Sequence, residues 1–184
     1  MRTDLKKTNQ SSDNIVKQNA ISYTVRPYSD NDFNDYASAL LKTWPCENIQ
    51  EARENVAMVV KRVRENKKEE IWVAEVEERA IGFVLLGFTR VWGHKGEAFE
   101  DEAVGIDWLD IHPEFQNKGI GKELLRKAEE RGRENGLRRL FMHTAVNNLA
   151  MINFASKNNF KFTKYLKEFW GKGTGDAFLL VKEL

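Results

Sequence analysis

The sequence predicts a mixed α/β fold in which one sheet of about seven strands is flanked by about four helices. Apolar residues alternate with polar ones in some segments, as in strands, and recur every three or four residues in others, as in helices. Two pairs of strand-like segments are joined by short turns and therefore predict antiparallel hairpins. The predicted order is strand, two helices, three strands, helix, strand, helix and hairpin.

The first half of the chain predicts one strand, two helices and a hairpin. After the alternating strand 21–26, Ser29 and Asp32 form a capping-box-like start for the first helix, and Pro45 ends that helix. The second helix carries apolar residues on one side from Ile49 to Val63. The hairpin comprises residues 71–76 and 81–88.

The second half alternates strands with helices before a final hairpin. The segment Leu140–Thr144 is apolar on both faces and should lie at the centre of the sheet. Polar residues 92–102 predict a loop, and polar residues 1–20 predict a flexible arm before one domain over residues 21–184. The other elements are a strand over 105–111, helices ending near Gly136 and spanning 148–158, and strands over 161–170 and 177–181.

Composition favours one soluble domain and argues against several classes of protein. The 29 Lys and Arg residues nearly balance the 28 Asp and Glu residues, so nothing indicates a nucleic-acid-binding protein. No apolar run approaches the ~20 residues that a membrane span needs, and the first twenty residues lack the hydrophobic segment of a secretory signal. The single Cys46 cannot form an internal disulfide, and we expect a cytoplasmic protein. No His, Cys, Asp and Glu spacing indicates a metal site.

The most informative segment is the glycine-bearing turn between the strand 105–111 and the helix that follows it. Gly119 and Gly121 carry no Cβ, so successive backbone N–H groups can converge on an anion there. The start of the helix adds unpaired N–H groups and the positive end of its dipole. Neither the P-loop spacing nor the Gly-x-Gly-x-x-Gly dinucleotide spacing is present. A purely structural helix start is the alternative interpretation.

The spacing Gln116-x-x-Gly119-x-Gly121 resembles the acyl-CoA pyrophosphate loop of the GNAT N-acetyltransferase superfamily. Residues 148–160 are similar to the family pattern Asn-x-Ala-x-x-x-[Leu/Phe]-Tyr-x-x-x-Gly-Phe, with Asn159 in place of the glycine. Asparagine tolerates the same left-handed conformation as that glycine. Over residues 105–160 the chain resembles protein N-terminal acetyltransferases in particular. The resemblance implies the GNAT fold, with a central, mixed, mostly antiparallel sheet, and direct acetyl transfer from acetyl-CoA without an acyl-enzyme.

The resemblance also implies a set of residues that bind acetyl-CoA. Backbone amides around Leu109–Ile111 would hold the pantetheine arm and the thioester carbonyl. Amides of residues 116–122 would hold the pyrophosphate, with Lys118 and Lys122 adding positive charge. The complete set is Leu109, Asp110, Ile111, Gln116, Asn117, Lys118, Gly119, Ile120, Gly121, Lys122 and Asn148.

His143 is the leading candidate for the catalytic base. It lies five residues before Asn148, where N-terminal acetyltransferases of the family place a Glu or His that deprotonates the amine. An imidazole with a pKa of about 6.5 suits proton removal near neutrality. A histidine packed in a central strand is the alternative. Asp107 and Asp110 are rival bases or structural carboxylates, and strict alternation along the strand predicts that they point to opposite faces.

Ala155 is the main departure from the family pattern, because the family usually carries there the tyrosine that protonates the CoA thiolate. We expect an N-acetyltransferase that acts on a primary amine, with a protein N-terminus as the leading acceptor. A polyamine or aminoglycoside is the alternative acceptor, and a non-catalytic acyl-CoA-binding domain is the alternative function. A homodimer is left open. Acidic residues that could attract a polycation are Glu97, Glu100, Asp101 and Glu102.

Overall fold

The computed structural model describes residues 22–88, 103–173 and 175–184. The predicted arm over residues 1–20, the predicted loop over 92–102 and the acidic residues in that loop lie outside this part of the chain. The elements are β1 (Thr24–Pro27), α1 (Phe33–Thr43), α2 (Ile49–Glu65), β2 (Glu69–Val76), β3 (Arg79–Gly87), β4 (Ala103–Ile111), α3 (Ile120–Glu134), β5 (Arg139–Ala145), α4 (Leu149–Lys157), β6 (Lys161–Leu166) and β7 (Ala177–Glu183).

The described strands form one seven-stranded sheet in the order β1-β2-β3-β4-β5-β7-β6. Five of the six neighbouring pairs are antiparallel, and β4 pairs with β5 in parallel. The predicted mixed, mostly antiparallel sheet of seven strands with four helices is therefore confirmed. The apolar strand β5 lies between β4 and β7, as its composition predicts for an interior strand.

The helices cover both faces of the sheet and build a separate apolar core on each. Side chains of α1 and α2 pack on one face, here called the α1/α2 face, where the Tyr36 ring stacks on the Phe83 ring with centroids 4.1 Å apart. Side chains of α3 and α4, including Leu124 and Ala155, pack on the opposite face, here called the α3/α4 face. Each residue of a strand can therefore be assigned to a face by the core that its side chain joins.

The strands β4 and β5 are paired over only part of their lengths. Residues Ala103–Ile106 pair with Arg139–Met142, whereas β4 continues to Ile111 and β5 to Ala145. We call the space between Asp107–Ile111 and His143–Ala145 the β4–β5 wedge. The other edge of β4 stays bonded to β3 as far as Ile111, so β4 keeps an extended conformation along the wedge.

A β-bulge in β4 overturns the expectation that Asp107 and Asp110 point to opposite faces. Leu85 pairs with Trp108, and the next residue, Leu86, pairs with Ile106. Asp107 is therefore an extra residue that pairs with no residue of β3. The bulge shifts the alternation by one residue. Asp107 then contacts α2, and Asp110 contacts α1, so both carboxylates lie on the α1/α2 face.

We expect Leu124→Ala to lower the free energy of unfolding by about 3 kcal/mol, because it leaves a cavity in a packed core. Leu124 is 0% exposed between α3 and the sheet. Met58, on α2, is 62% exposed, and Met58→Ala should change the free energy by less than about 0.5 kcal/mol. Equilibrium unfolding in urea measures both, and equal effects would contradict the assignment of the α3/α4 core.

Candidate active site

The turn between β4 and α3 is folded as an anion cradle. Gly119 is the N-cap of α3 and has a φ of 86°, in the left-handed region, and Asn117 has a φ of 59°. The Gln116 side chain donates from Nε2 to the Ile111 carbonyl oxygen at 3.1 Å, which folds the turn back on the end of β4. The Lys122 backbone N–H donates to the Gly119 carbonyl oxygen at 3.0 Å, as the first hydrogen bond of α3. The amides that precede Lys122 have no partner of this kind in the helix and can be offered to an anion.

The two glycines of this turn have different structural reasons to be glycine. Gly119 needs the left-handed conformation, and a Cβ there would meet no atom closer than the Tyr23 hydroxyl oxygen at 4.0 Å. Gly121 is not in that conformation, but its Cβ would lie 3.3 Å from the Phe154 ring of α4. Of these two glycines only Gly119 has a positive φ, while Gly121 allows α3 and α4 to approach each other.

The two lysines of the turn, Lys118 and Lys122, are both exposed. The Lys118 ammonium lies 5.1 Å from the centroid of the Phe115 ring. The family's pyrophosphate-binding role for these two lysines stays a prediction, and their exposure is compatible with it.

The segment Leu109–Ile111 borders the β4–β5 wedge with its backbone. The side chains of Leu109 and Ile111 join the α3/α4 core. Because side chains of a strand project from the faces of the sheet, the N–H and C=O groups of this segment point sideways, toward the neighbouring strands. One edge of this segment bonds to β3, and the other faces the wedge. An extended acyl arm could therefore bond to β4 as an additional strand does, and the anion cradle follows at the end of the same strand.

Asp110 is a partly buried carboxyl group on the α1/α2 face. None of the ion pairs within the described residues includes it. Burial raises the pKa of Asp110 to about 6, although a hydrogen bond with the Thr43 side chain acts in the opposite direction. A carboxyl group with this pKa is mostly ionised at pH 7 and is a much stronger base than an exposed aspartate.

His143 also lies on the α1/α2 face, since its neighbours Leu140 and Met142 join the opposite core. Its ring stacks on Phe169, with centroids 4.2 Å apart and planes at 24°. Burial lowers the pKa of His143 to about 4. The expectation of an imidazole titrating near its ordinary pKa is therefore wrong, and His143 is neutral and only weakly basic near pH 7.

The second motif is folded as a capped helix. The Asn148 side-chain oxygen accepts from the Met151 amide at 3.1 Å and so caps α4. Asn159 has a φ of 66°, which confirms the left-handed conformation expected at the family's glycine position. Ala155 is 1% exposed in the α3/α4 core, so a tyrosine there would have to displace packed neighbours. The cofactor-binding role of Asn148 stays a prediction.

The sequence analysis missed the aromatic side chains that accompany these residues. Trp44, at the end of α1, and Trp108, on β4, have ring centroids 5.8 Å apart. Phe169 contacts the ring of Trp170, with centroids 5.1 Å apart. In the sequence, Trp44 precedes Pro45, and Phe169 and Trp170 precede a glycine-rich turn. These positions mark the ends of elements, but they do not indicate which face of the sheet the rings join.

Within residues 22–88, 103–173 and 175–184, no group of His, Cys, Asp or Glu side chains is arranged to hold a metal ion. None of the helices in these ranges is both long and apolar enough to cross a membrane.

The wedge offers an unpaired backbone edge and the cradle offers amides at a helix start, and an acyl-CoA could use both. The model of the acetyltransferase (GNAT) family matches residues 32–160, and the chain belongs to this family. Its acyl donor is therefore acetyl-CoA.

Several similar proteins support the same family and fold. An acetyltransferase of Pectobacterium atrosepticum is 23% identical over 133 residues, which cover 72% of this chain and 84% of that protein. A GNAT family acetyltransferase from Elizabethkingia anophelis with acetyl-CoA bound superposes with a TM-score of 0.65 at 20% identity, covering 88% of this chain and 98% of its own. The ribosomal-protein-S18-alanine N-acetyltransferase from Escherichia coli has a TM-score of 0.65 at 13% identity, covering 88% and 94%. These two structures show a shared fold.

We expect Gly119→Val to weaken acetyl-CoA binding at least tenfold, equivalent to about 1.4 kcal/mol, because a β-branched residue resists the left-handed conformation that forms the cradle. Gly136, after the end of α3, has a φ of 70°, and a Cβ there would meet no atom within 4 Å. Gly136→Val should therefore carry a similar backbone strain without weakening the binding of acetyl-CoA. Calorimetric titration of both folded variants measures this difference, and equal affinities would contradict the cradle.

Proposed function

We propose that this protein transfers the acetyl group of acetyl-CoA directly to a primary amine, with Asp110 as the general base and a protein N-terminus as the leading acceptor. The observation that carries the proposal is the β4–β5 wedge, which places an open backbone edge beside a carboxyl group of raised pKa. The backbone edge would align the thioester, and Asp110 would receive the proton of an amine that enters from the α1/α2 face. Orientation of the two reactants then supplies much of the rate.

An α-ammonium group loses two protons in this reaction, one before its nitrogen attacks and one afterwards. Asp110 would take the first proton, and the neutral nitrogen then attacks the thioester carbonyl carbon, where backbone N–H groups along the wedge would stabilise the oxyanion. The C–S bond breaks, CoA leaves as a thiolate, and the second N–H proton passes to solvent. A thiol has a pKa of about 8.5, so the thiolate is an adequate leaving group without the tyrosine that Ala155 replaces.

Asp110 is the stronger candidate base of the two predicted catalytic residues. Its pKa of about 6 lies closer to that of an amine than the pKa of about 4 of His143, and proton transfer becomes less unfavourable as this gap narrows. The stacking of His143 on Phe169 fits a role in shaping the acceptor side of the wedge. His143 is the second candidate base.

A protein N-terminus is favoured as acceptor because an α-amine has a pKa of about 8, compared with about 10.4 for a lysine amine. A base with a pKa of about 6 can therefore deprotonate an α-amine more easily than a lysine amine. The fold shared with an N-acetyltransferase of a ribosomal protein is compatible with this acceptor. A small amine, such as a polyamine or aminoglycoside, is the alternative acceptor. Ala155, in place of the tyrosine that usually protonates the thiolate in the family, leaves the non-catalytic acyl-CoA-binding function as a second candidate.

An amine panel tests the proposed reaction. Release of free thiol from acetyl-CoA is measured with short peptides that carry a free N-terminus, with the same peptides blocked at the N-terminus, and with polyamines and aminoglycosides. We expect turnover with the free peptides and none with the blocked ones. Turnover confined to the small amines would change the acceptor class, and acetyl-CoA affinity without thiol release from any amine would indicate a binding domain.

We expect Asp110→Asn to lower kcat by about 10²-fold or more with acetyl-CoA affinity unchanged, because a base acts on the amine and not on the bound cofactor. In the wild type, Asp110 must be ionised to accept a proton, so kcat should fall as pH falls through about 6. This acidic limb should be absent from the variant. Wild-type turnover in folded Asp110→Asn would place the base elsewhere.

His143→Gln provides the matched test of the second candidate. Because burial holds the pKa of His143 near 4, its titration cannot produce an acidic limb near pH 6. We expect the variant to keep that limb at its wild-type position, with any loss of kcat arising from altered packing against Phe169. Loss of the limb in His143→Gln together with its retention in Asp110→Asn would reverse the assignment.

A further inference from the structure

Two tryptophan side chains from different elements lie beside the carboxyl group of Asp110. Trp108 is two residues before Asp110 on β4, so both side chains project from the α1/α2 face of the sheet. Trp44 directly follows Thr43, whose side chain hydrogen-bonds with Asp110. The centroids of the two indole rings lie 5.8 Å apart, with the ring planes at 41°. The end of α1 and the strand β4 therefore bring two aromatic rings and one carboxyl group together.

Both rings are held in place by contacts with the rest of the protein. The Trp108 ring meets the Tyr36 ring edge to face, with centroids 6.4 Å apart, and Tyr36 in turn stacks on Phe83. The backbone amide of Trp44 donates to the Leu40 carbonyl oxygen at 2.8 Å, which fixes Trp44 at the C-terminal end of α1. Trp44 is nevertheless 44% exposed, so part of its surface is accessible to a ligand. A ligand of this site would meet rings that are already positioned.

This combination of groups suits an aliphatic ammonium ion. The face of an aromatic ring attracts a cation electrostatically, and the indole ring does so most strongly. The carboxyl group of Asp110, with a pKa of about 6, is mostly ionised at pH 7 and attracts the same charge. The chain already contains one such contact on the opposite face of the sheet, where the Lys127 ammonium lies 4.6 Å from the centroid of the Trp72 ring.

We propose that Trp44 and Trp108 form, together with Asp110, a subsite that binds the acceptor amine in its ammonium form. The proposal rests on the proposed function, in which the acceptor is an amine and Asp110 removes its first proton. An α-amine with a pKa of about 8 is mostly an ammonium at pH 7 when it arrives. Its nitrogen becomes positive again while it bonds to the thioester carbon. The rings would therefore stabilise both the bound ammonium and the attacking nitrogen, and they act as specificity residues.

A quaternary ammonium ion distinguishes this subsite from an apolar pocket. It carries the charge of the acceptor, but its nitrogen has neither a proton to give nor a lone pair to attack with, so that nitrogen cannot be acetylated. Choline is the probe, and 3,3-dimethylbutan-1-ol is its uncharged analogue of nearly the same shape. An apolar pocket would bind the two alike, whereas aromatic rings beside a carboxylate should favour choline.

The binding test needs no turnover. Titration followed by NMR measures the affinity of the protein for choline and for 3,3-dimethylbutan-1-ol, and we expect choline to bind about tenfold more tightly or better. Trp44→Leu should weaken choline binding about threefold or more, and Trp44→Phe, which keeps an aromatic face, should weaken it less. Asp110→Asn should also weaken it, whereas Trp72→Leu, on the opposite face, should match the wild type. Equal affinities for the two probes, or binding of neither, would overturn the proposal.

The kinetic test uses an amine that the protein acetylates. We expect Trp44→Leu to raise KM for the amine about threefold or more and to leave kcat within about twofold, because the ring contributes equally to the bound ammonium and to the attacking nitrogen. Choline should compete with the amine and not with acetyl-CoA. Trp108→Phe is the second variant, because Trp108 packs on Tyr36 and a smaller side chain would disturb the core. A purely structural role predicts lower stability with an unchanged ratio of the two probe affinities.

Failure of this inference is distinct from failure of the proposed function. Acetylation of an amine by a protein that binds choline and its neutral analogue equally would overturn the subsite and keep the reaction. Choline binding that depends on Trp44, without release of thiol in the presence of any amine, would keep the subsite and overturn the reaction. The expected result is acetylation of an amine together with charge-selective binding of choline that Trp44→Leu weakens.

Discussion

The separation of β4 from β5 is the constraint on which the rest of the site depends. The two strands share four paired positions and then part, although both remain extended. Backbone groups along an unpaired edge need another hydrogen-bonding partner, and an extended thioester arm can be that partner. Because the anion cradle begins where β4 ends, the proposed sites for the arm and for the pyrophosphate lie on one continuous segment. Cofactor binding of this kind would rely mainly on the main chain.

The two faces of the sheet differ in the side chains that they carry near the wedge. On the α3/α4 face, apolar side chains such as Leu124 and Ile120 are fully packed and hold the helix that follows the anion cradle. On the α1/α2 face, an apolar core is interrupted by Arg62, Asp107 and Asp110 near the wedge. Burying an uncompensated carboxyl group costs stability, and groups of this kind are found at functional sites more often than elsewhere.

Burial acts in opposite directions on the two candidate bases. It disfavours the charged form of any group, so it raises the pKa of Asp110 and lowers that of His143. From residue types alone, the imidazole is the better base near neutrality and the carboxyl group the weaker one. Their order is reversed because both side chains are partly buried on the same face, which depends on the contacts of β4 with α1 and of His143 with Phe169.

The sequence by itself determined the features that depend on neighbouring residues. The order of helices and strands, the capping interaction between Ser29 and Asp32, and the left-handed conformation of Asn159 follow from local periodicity and backbone preference. The family of the chain was also apparent, because its two motifs are short contiguous segments.

Only the tertiary structure decided the features that depend on residues far apart in the chain. The bulge at Asp107 exists in the pairing of β4 with β3, and no local pattern in β4 marks it. The strand β6 ends at Leu166, whereas the sequence predicted a strand as far as residue 170. Beyond that end, the backbone amide of Glu168 donates to the Asp176 side chain and not to a neighbouring strand. The same holds for the burial that sets the pKa of Asp110. Register and burial are collective properties of packed elements, whereas the backbone preference of a glycine is its own.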